Sequence, residues 1–351
     1  MGHNTDTIAV RSDEQFDVNR LTQFLNNKLP GSDQSLILRQ FPDGKANLTY
    51  HLDYGSHEYV LRRPPLGPVA PGSHDMAREY RVLSVLHQSF SHAPKAFLFS
   101  DDASIVGAPF FVMERHTGVV VRTKIPTEFS HIPDAGRQMS LALADALAHL
   151  HAVNYESLGL SELGKPEGFI ERQVAGWHKR WERAKHNDFS EMDEIHQWLI
   201  DNMPQSGEPS LVHNDYKLDN VMLARNNPSN IKAIFDWDMC TLGDPLSDLG
   251  ALLCYWVEPN DPPFFKQSAM MPVHESFLSR KELVARYAET SGRDVSTIQF
   301  YHVLGIFRLV GIVAQIYIRF LKGQTQDKRF ASFGDMIPAL ATFALHVIQE
   351  H

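Results

Sequence analysis

The 351-residue chain reads as an α+β protein in two lobes, a small one built on an antiparallel sheet and a larger one made mainly of helix. Three observations predict this. Apolar residues recur at every second position between residues 36 and 63, apolar residues recur at helical spacing from about residue 136 onward, and a single hairpin signal interrupts the helical part near residues 220–236. At roughly 150 residues per domain the chain has room for two lobes. With 43% hydrophobic and 21% charged residues, its composition argues against a disordered chain, a collagen-like repeat or a coiled coil.

The strands come first. Ile37 to Phe41 precedes the turn residues Pro42-Asp43-Gly44-Lys45; Leu48, Tyr50 and Leu52 then alternate, and Tyr59 to Arg62 follows, which makes a three-stranded meander. After the turn-rich stretch 64–72, the spacing predicts a helix over about Asp75 to His87, then short strands at Ala96–Phe99 and Pro109–Met113. Leu143, Leu147 and Leu150 open the helical part, which continues through Glu191–Ile200, Pro245–Trp256, Arg280–Thr290 and Phe300–Leu321. Asn220–Ala224 and Ile231–Asp236 read as a hairpin around the polar run 225–230. The lobes are expected to divide at residues 1–115 and 116–351.

Thirty-three Lys and Arg against 42 Asp and Glu give a net charge of −9, so nucleic acid and anionic membrane are poor main ligands. Cys240 and Cys254 form no Cys-x-x-Cys motif, which argues against a disulfide framework or structural zinc and favours a reducing cytoplasm. The N-terminal ten residues carry no basic-then-apolar run of a signal peptide. Phe300–Leu321, the most apolar stretch, is interrupted by His302, Arg308, Gln315 and Arg319 and is expected to be a buried helix instead of a membrane span. The 18 histidines contain no His-x-x-x-His pair with a nearby Glu, so no zinc site is expected.

The chemistry concentrates around the hairpin. Leu211-Val212-His213-Asn214-Asp215-Tyr216-Lys217-Leu218-Asp219-Asn220 leads into it, and Phe235-Asp236-Trp237-Asp238 leaves it. A turn centred near Pro228 would set Asn220 opposite Asp236, bringing an amide oxygen and a carboxylate together with Asp215 close by. Such hard oxygen ligands suit Mg²⁺ carrying nucleotide phosphates. In the first lobe, Glu79 shares a helix face with Val82, Leu83 and Leu86. A carboxylate on an apolar face needs a cation, and the preceding strand offers Arg62 and Arg63. Alternation puts these two on opposite faces, so only one of them can face the helix. In a kinase-like fold, which the loop spacing given next resembles, the turn within Phe41–His51 would cover phosphates with backbone N–H groups, Gly44 and Ala46 permitting close approach.

The His213-x-Asp215-x-x-x-x-Asn220 spacing resembles the catalytic loop of the protein-kinase-like fold. Together with Val60-Leu61-Arg62-Arg63-Pro64-Pro65, Arg78-Glu79-Tyr80-Arg81-Val82-Leu83 and Gly243-Asp244-Pro245-Leu246-Ser247-Asp248-Leu249, these residues resemble the aminoglycoside phosphotransferase and choline kinase-like family. The likeness runs from about residue 35 to 256, and its style is nearest to the kinase-like domain found beside acyl-CoA dehydrogenases in larger proteins.

The resemblance implies a phosphotransferase that uses ATP and Mg²⁺ to phosphorylate a hydroxyl of a small molecule. Asp215 would be the catalytic base, Lys217 would sit by the transferring phosphoryl group, Asn220 and Asp236 would bind magnesium, and Arg62 with Glu79 would form the strand–helix ion pair that orients the α and β phosphates. His213 would brace the loop, Glu114 and His116 would read adenine through their backbone, and Asp248 would support the loop as well as open a helix after Asp244-Pro245. Asp238 is a secondary metal candidate. The chain departs from protein kinases at Asn214, at Asp236-Trp237-Asp238 and in having no activation segment before Asp244, which argues against a protein acceptor. Substrate groups are expected from residues 155–200, including Trp177 and Trp181, and from Glu258 and Asp261. The competing reading is a catalytically silent nucleotide-binding regulatory module of the same fold.

Overall fold

The alternation in the first third of the chain is realised as strands. The computed structural model describes residues 6–42, 47–65, 74–325 and 327–350, and the chain forms two units: Met1–Thr117 with Lys232–Cys240, and Gly118–Ile231 with Thr241–His351. The segment carrying Asp236 therefore clusters with the first unit, although in sequence it lies deep in the second.

The first unit begins with α1 (Val18–Leu25), which starts where the Asp17 carboxylate accepts the N–H groups of Asn19 and Arg20 at 3.0 and 3.1 Å. Strands β1 (Ile37–Gln40), β2 (Leu48–Asp53) and β3 (Glu58–Arg63) follow, then α2 (Met76–Leu86), β4 (Ala96–Ser100), a one-turn α3 (Ala103–Val106) and β5 (Phe110–Glu114). The five strands make one antiparallel sheet in the order β1-β2-β3-β5-β4. Asp75 caps α2 by accepting the Arg78 N–H at 3.0 Å, and Tyr50, Leu52, Leu61 and Val112 pack with Leu21 and Leu25 of α1 in one core. The expected phosphate-covering residues Gly44 and Ala46 lie outside the described residues.

The second unit contains β6 (Val119–Val120), the long helices α4 (Ala135–His151) and α5 (Phe169–Ala184), and α6 (Ser190–Asp201), then β7 (Ser210–Val212), β8 (Val221–Ala224) and β9 (Asn227–Ile234), whose last three residues belong to the first unit. After β10 (Thr241–Gly243), which pairs with β7, come α7 (Leu246–Tyr255), α8 (Pro263–Ser268), α9 (Arg280–Ser291), α10 (Ile298–Leu321) and α11 (Phe333–Gln349). The hairpin turn is Arg225–Asn226, between the end of β8 and the start of β9, so the register argument that centred it near Pro228 does not hold. Pro228 is instead the second residue of β9, the outer strand of the order β6-β8-β9, where a missing N–H is tolerated.

α10 and the segment Lys328–Gln349 are each long and apolar enough to cross a membrane by length and composition. α10 nevertheless packs on α5, α6, α7 and α11, and its contact with α7 is tight: a Cβ at Gly305 would stand 2.8 Å from the Gly250 carbonyl oxygen. The same helix buries His302, which is 7% exposed and whose Nε2 has no hydrogen-bond partner among the described residues. Burial, aided by the charge of Arg280, pushes its pKa down to about 3.

The folded state therefore binds fewer protons at this ring than the unfolded chain between pH about 6.5 and 3, so stability falls as pH falls through that window. His302→Leu is expected to make the acid limb of the stability curve shallower by up to one proton, about 1.4 kcal/mol per pH unit. Urea unfolding measured across pH checks this, and an unchanged slope would refute it.

Candidate active site

In the first unit, strand alternation sends Arg62 and Arg63 to opposite faces of the sheet. Arg63 is consumed by structure: its guanidinium donates to the Tyr50 hydroxyl at 2.7 Å, to the Glu14 carbonyl at 2.7 Å and to the Val106 carbonyl. Arg62 faces α2, where its Nε lies 3.0 Å from Glu79 Oε2, and its Nη2 donates to Asp236 Oδ1. Glu79 is 1% exposed, as its place on the apolar face of α2 requires, and the Trp237 N–H approaches its Oε1 at 3.4 Å.

Burial pushes the Glu79 carboxyl above the usual carboxylate range, and the adjacent Arg62 guanidinium opposes that rise. Burial also opposes the charge on Arg62, but Glu79, Asp236 and Asp238 outweigh it and hold the guanidinium charged. Asp236 adopts the left-handed conformation at φ 71°, which Asp tolerates better than most residues. Asp236 remains partly exposed, its side chain at 28%.

In the second unit, β7 delivers the chain into the His213–Asn220 loop. The buried carboxylate of Asp248, in the first turn of α7, accepts the N–H of His213 at 2.6 Å and that of Asn214 at 2.7 Å. Burial works against this charge, yet the hydrogen bond from His151 and the charges around it keep Asp248 below the usual carboxylate range. Asp244, two residues before α7, accepts the Leu246 N–H at 3.0 Å and the Tyr301 hydroxyl at 2.8 Å.

Asn214 stands at φ 63°, and its carbonyl accepts from Arg308 of α10 at 2.5 Å. His213 is buried and its Nδ1 accepts the Asp215 N–H at 3.2 Å, which is a bracing contact. The Tyr216 hydroxyl ties the loop to α4 through the Leu143 carbonyl at 2.9 Å.

These constraints gather three side chains. The Lys217 Nζ is 2.5 Å from Asp215 Oδ2, and the Asn220 Nδ2 donates to the Asp215 carbonyl at 2.8 Å and to its Oδ2 at 2.9 Å. Because the Asn220 amide nitrogen is spent on Asp215, its Oδ1 is the atom suited to a cation. Lys217 also lies 5.3 Å from the centre of the Tyr255 ring. Asp219 was not anticipated: burial raises its pKa, and its Oδ1 is buried without a hydrogen-bond partner among the described residues. Its position inside the His213–Asn220 motif was the available signal.

Other expected residues fall elsewhere. The Glu114 N–H is committed to the Lys95 carbonyl at 2.8 Å, and the His116 carbonyl accepts from Arg115 at 3.2 Å. Of the two backbones, the Glu114 carbonyl and the His116 N–H are then the groups to consider for an adenine. Glu258 and Asp261, expected to meet substrate, are instead paired with Arg280 at 3.3 and 2.6 Å. Trp181 is a core residue at 1% exposure, and buried Trp177 lies against the guanidinium groups of Arg180 and Arg308 at 4.5 and 5.5 Å from its ring centre.

A five-stranded antiparallel lobe with a strand–helix ion pair, and a helical unit whose loop gathers Asp, Lys and Asn, define a kinase-like phosphotransferase fold. Residues 37–270 match the model of the phosphotransferase enzyme family, and the chain belongs to that family. It is 32% identical over 350 residues to acyl-CoA dehydrogenase family member 11 of Rattus norvegicus, covering 97% of this chain and 44% of that protein.

Among solved structures, an aminoglycoside phosphotransferase-like protein of Ralstonia eutropha superposes with a TM-score of 0.81 at 26% identity, covering 95% of this chain and 98% of the other. Choline kinase from Cryptosporidium parvum shares the fold with a TM-score of 0.64 at 11% identity, over 95% and 96% of the two chains. So does an aminoglycoside phosphotransferase in ternary complex with AMP-PNP and hygromycin B, with a TM-score of 0.58 at 16% identity, over 94% and 99%.

Removing Arg62 would leave the Glu79 carboxyl buried without its cation. Arg62→Ala is expected to cost about 3–5 kcal/mol in urea unfolding, with Arg62→Ala/Glu79→Leu recovering a large part of that loss. A cost below 1 kcal/mol for the single variant would contradict the pairing.

Proposed function

We propose that the chain is an ATP- and Mg²⁺-dependent phosphotransferase acting on a hydroxyl of a small molecule. The observation that carries this reading is the Asp215 carboxylate, held by Lys217 and Asn220 at 2.5 and 2.9 Å on a loop whose backbone is fixed by Asp248. A carboxylate so placed accepts the proton of an acceptor hydroxyl as its oxygen attacks the γ-phosphorus and ADP departs. Lys217 offsets the negative charge that develops on the transferring group. Arg62, oriented by Glu79, is assigned to the α and β phosphates, and the Glu114 carbonyl and His116 N–H to the adenine.

In the second unit Asn220, through Oδ1, and in the first unit the partly exposed Asp236 carboxylate are each assigned as a magnesium ligand. Among the described residues no group of three or more His, Cys, Asp or Glu side chains forms a metal cage, and each of these two oxygens is a donor of the kind taken by a cation that completes its shell with phosphates and water. Bound there, magnesium would neutralise phosphate charge. The AMP-PNP carried by a fold relative supports the nucleotide assignment. A cytoplasmic setting belongs to the same proposal.

A second reading has one observation in its favour: the relative quoted above is named for a dehydrogenase, and this chain spans 44% of it. In that reading the unit binds nucleotide and regulates without turnover.

The test is Mg²⁺-dependent ADP release by wild type and Asp215→Asn, with pooled amino alcohols, aminoglycosides, sugars and hydroxy acids as acceptors. Loss of a general base predicts a fall of about 10²–10⁴ in acceptor-stimulated turnover, with nucleotide affinity held within a few fold. Undiminished turnover in the variant would refute the role of Asp215. Nucleotide binding by the wild type without turnover on any pool would favour the regulatory reading.

A further inference from the structure

The helices α10 and α11 leave one apolar stretch of the second unit without cover. The buried residues of α10 end at Ala314, those of α11 begin at Ile337, and no described residue between them is buried. That stretch nevertheless carries Ile316, Ile318, Phe320, Leu321, Phe330 and Phe333, and Leu321 is 52% exposed. Contiguous apolar groups left to water mark an interaction surface.

Packing gathers these side chains in one place. The short helical turn Lys328–Ser332 rests on both helices, and the Phe330 and Phe333 rings stand 5.3 Å apart. The start of α11 abuts the end of α10, where a Cβ at Gly334 would lie 2.7 Å from the Tyr317 hydroxyl.

Cations surround the apolar groups. Arg319, Lys322, Lys328 and Arg329 are all exposed, and the carboxylates within residues 315–336 are Asp327 and Asp335. Asp327 is already held by Arg329, whose Nε lies 2.9 and 3.0 Å from its two oxygens. The face is therefore positive within a chain of net charge −9.

That charge decides between the partners able to cover an apolar face. A second copy of this chain would set the face against itself across a two-fold axis, bringing Lys322 and Lys328 toward like charges, and lysine is depleted in protein interfaces. An anionic bilayer matches both features. Aliphatic and aromatic groups reach the boundary between headgroups and acyl chains, while the long Lys and Arg stems extend their charges to lipid phosphates. The first half of α10 is buried and packs on α7, so the helix meets such a surface with its end and does not span it.

We propose that the end of α10, the turn Lys328–Ser332 and the start of α11 form a docking surface for an anionic lipid bilayer. The negative charge of the whole chain opposes an anionic surface elsewhere, so contact is confined to this face and is weakened by salt. Leu321 lies about 20 Å along α10 from Arg308, and the proposal does not rest on the phosphotransferase reading.

The experiment is co-sedimentation of the full chain with vesicles of phosphatidylcholine, with and without about 30% phosphatidylserine, at about 0.1 and 0.5 M NaCl. Sedimentation velocity of the protein alone accompanies it. Binding to the anionic vesicles is expected to exceed binding to the neutral ones by about tenfold or more, and to fall about fivefold at the higher salt. Lys322→Glu/Lys328→Glu is expected to lose about tenfold and Leu321→Gln about threefold. Lys281→Glu, which changes an exposed lysine of α9, is expected to bind as wild type. These positions are exposed, so the variants are expected to fold, and circular dichroism checks this. No vesicle binding, equal binding to the two vesicles, or the same loss in Lys281→Glu as in the double variant would overturn the proposal. So would a dimer that Leu321→Gln dissociates, which would assign the face to a second copy.

Discussion

A carboxylate buried on the apolar face of α2 must have a cation beside it, and that requirement organises the first unit. An unpaired Glu79 would cost several kcal/mol or give up its charge. The pairing with Arg62 fixes which of two adjacent arginines turns toward the helix and aligns α2 with β3. Through Asp236 and the Trp237 N–H, the same pair holds the Lys232–Cys240 segment within this unit. The buried pair is a poor device for raw stability. Its use is to present one guanidinium, held charged, at a fixed place.

The second unit solves a parallel problem with the roles exchanged. There the polar groups in need of partners are backbone N–H groups of a loop that cannot be helix or strand, and a buried carboxylate supplies the acceptors. Asp248 is charged because donors from the loop and from His151 surround it. Arg308 completes the bracket from α10. Asp215 is then left with its carboxylate directed to Lys217 and Asn220, a rigid constellation on otherwise irregular backbone.

Much of this was legible in the chain, and the reasons are local. Period-2 alternation located β1, β2 and β3, and the i, i+3, i+4, i+7 face of α2 exposed Glu79 as a residue needing a partner. The short spacing from Asp215 to Asn220 placed three groups on one loop. What could not be read depended on distant partners or on turn chemistry. Pro228 resembles a turn residue, yet it sits in an outer strand while Arg225–Asn226 turns the chain. Glu258 and Asp261 resemble substrate groups until Arg280 is found between them. The three-residue strands β7 and β10 are too short to announce themselves by periodicity.

The chain belongs to the phosphotransferase enzyme family, and the proposed account assigns Arg62, Glu79 and Asp236 to a magnesium nucleotide and Asp215 to the acceptor. The most direct measurement is calorimetric titration of a non-hydrolysable ATP analogue into wild type and Asp236→Ala, each with magnesium and with EDTA. The account predicts binding by the wild type that is strengthened at least tenfold by magnesium, and an Asp236→Ala protein that stays folded and loses that magnesium dependence. Wild-type binding indifferent to magnesium, or an Asp236→Ala variant that keeps the full magnesium effect, would contradict it.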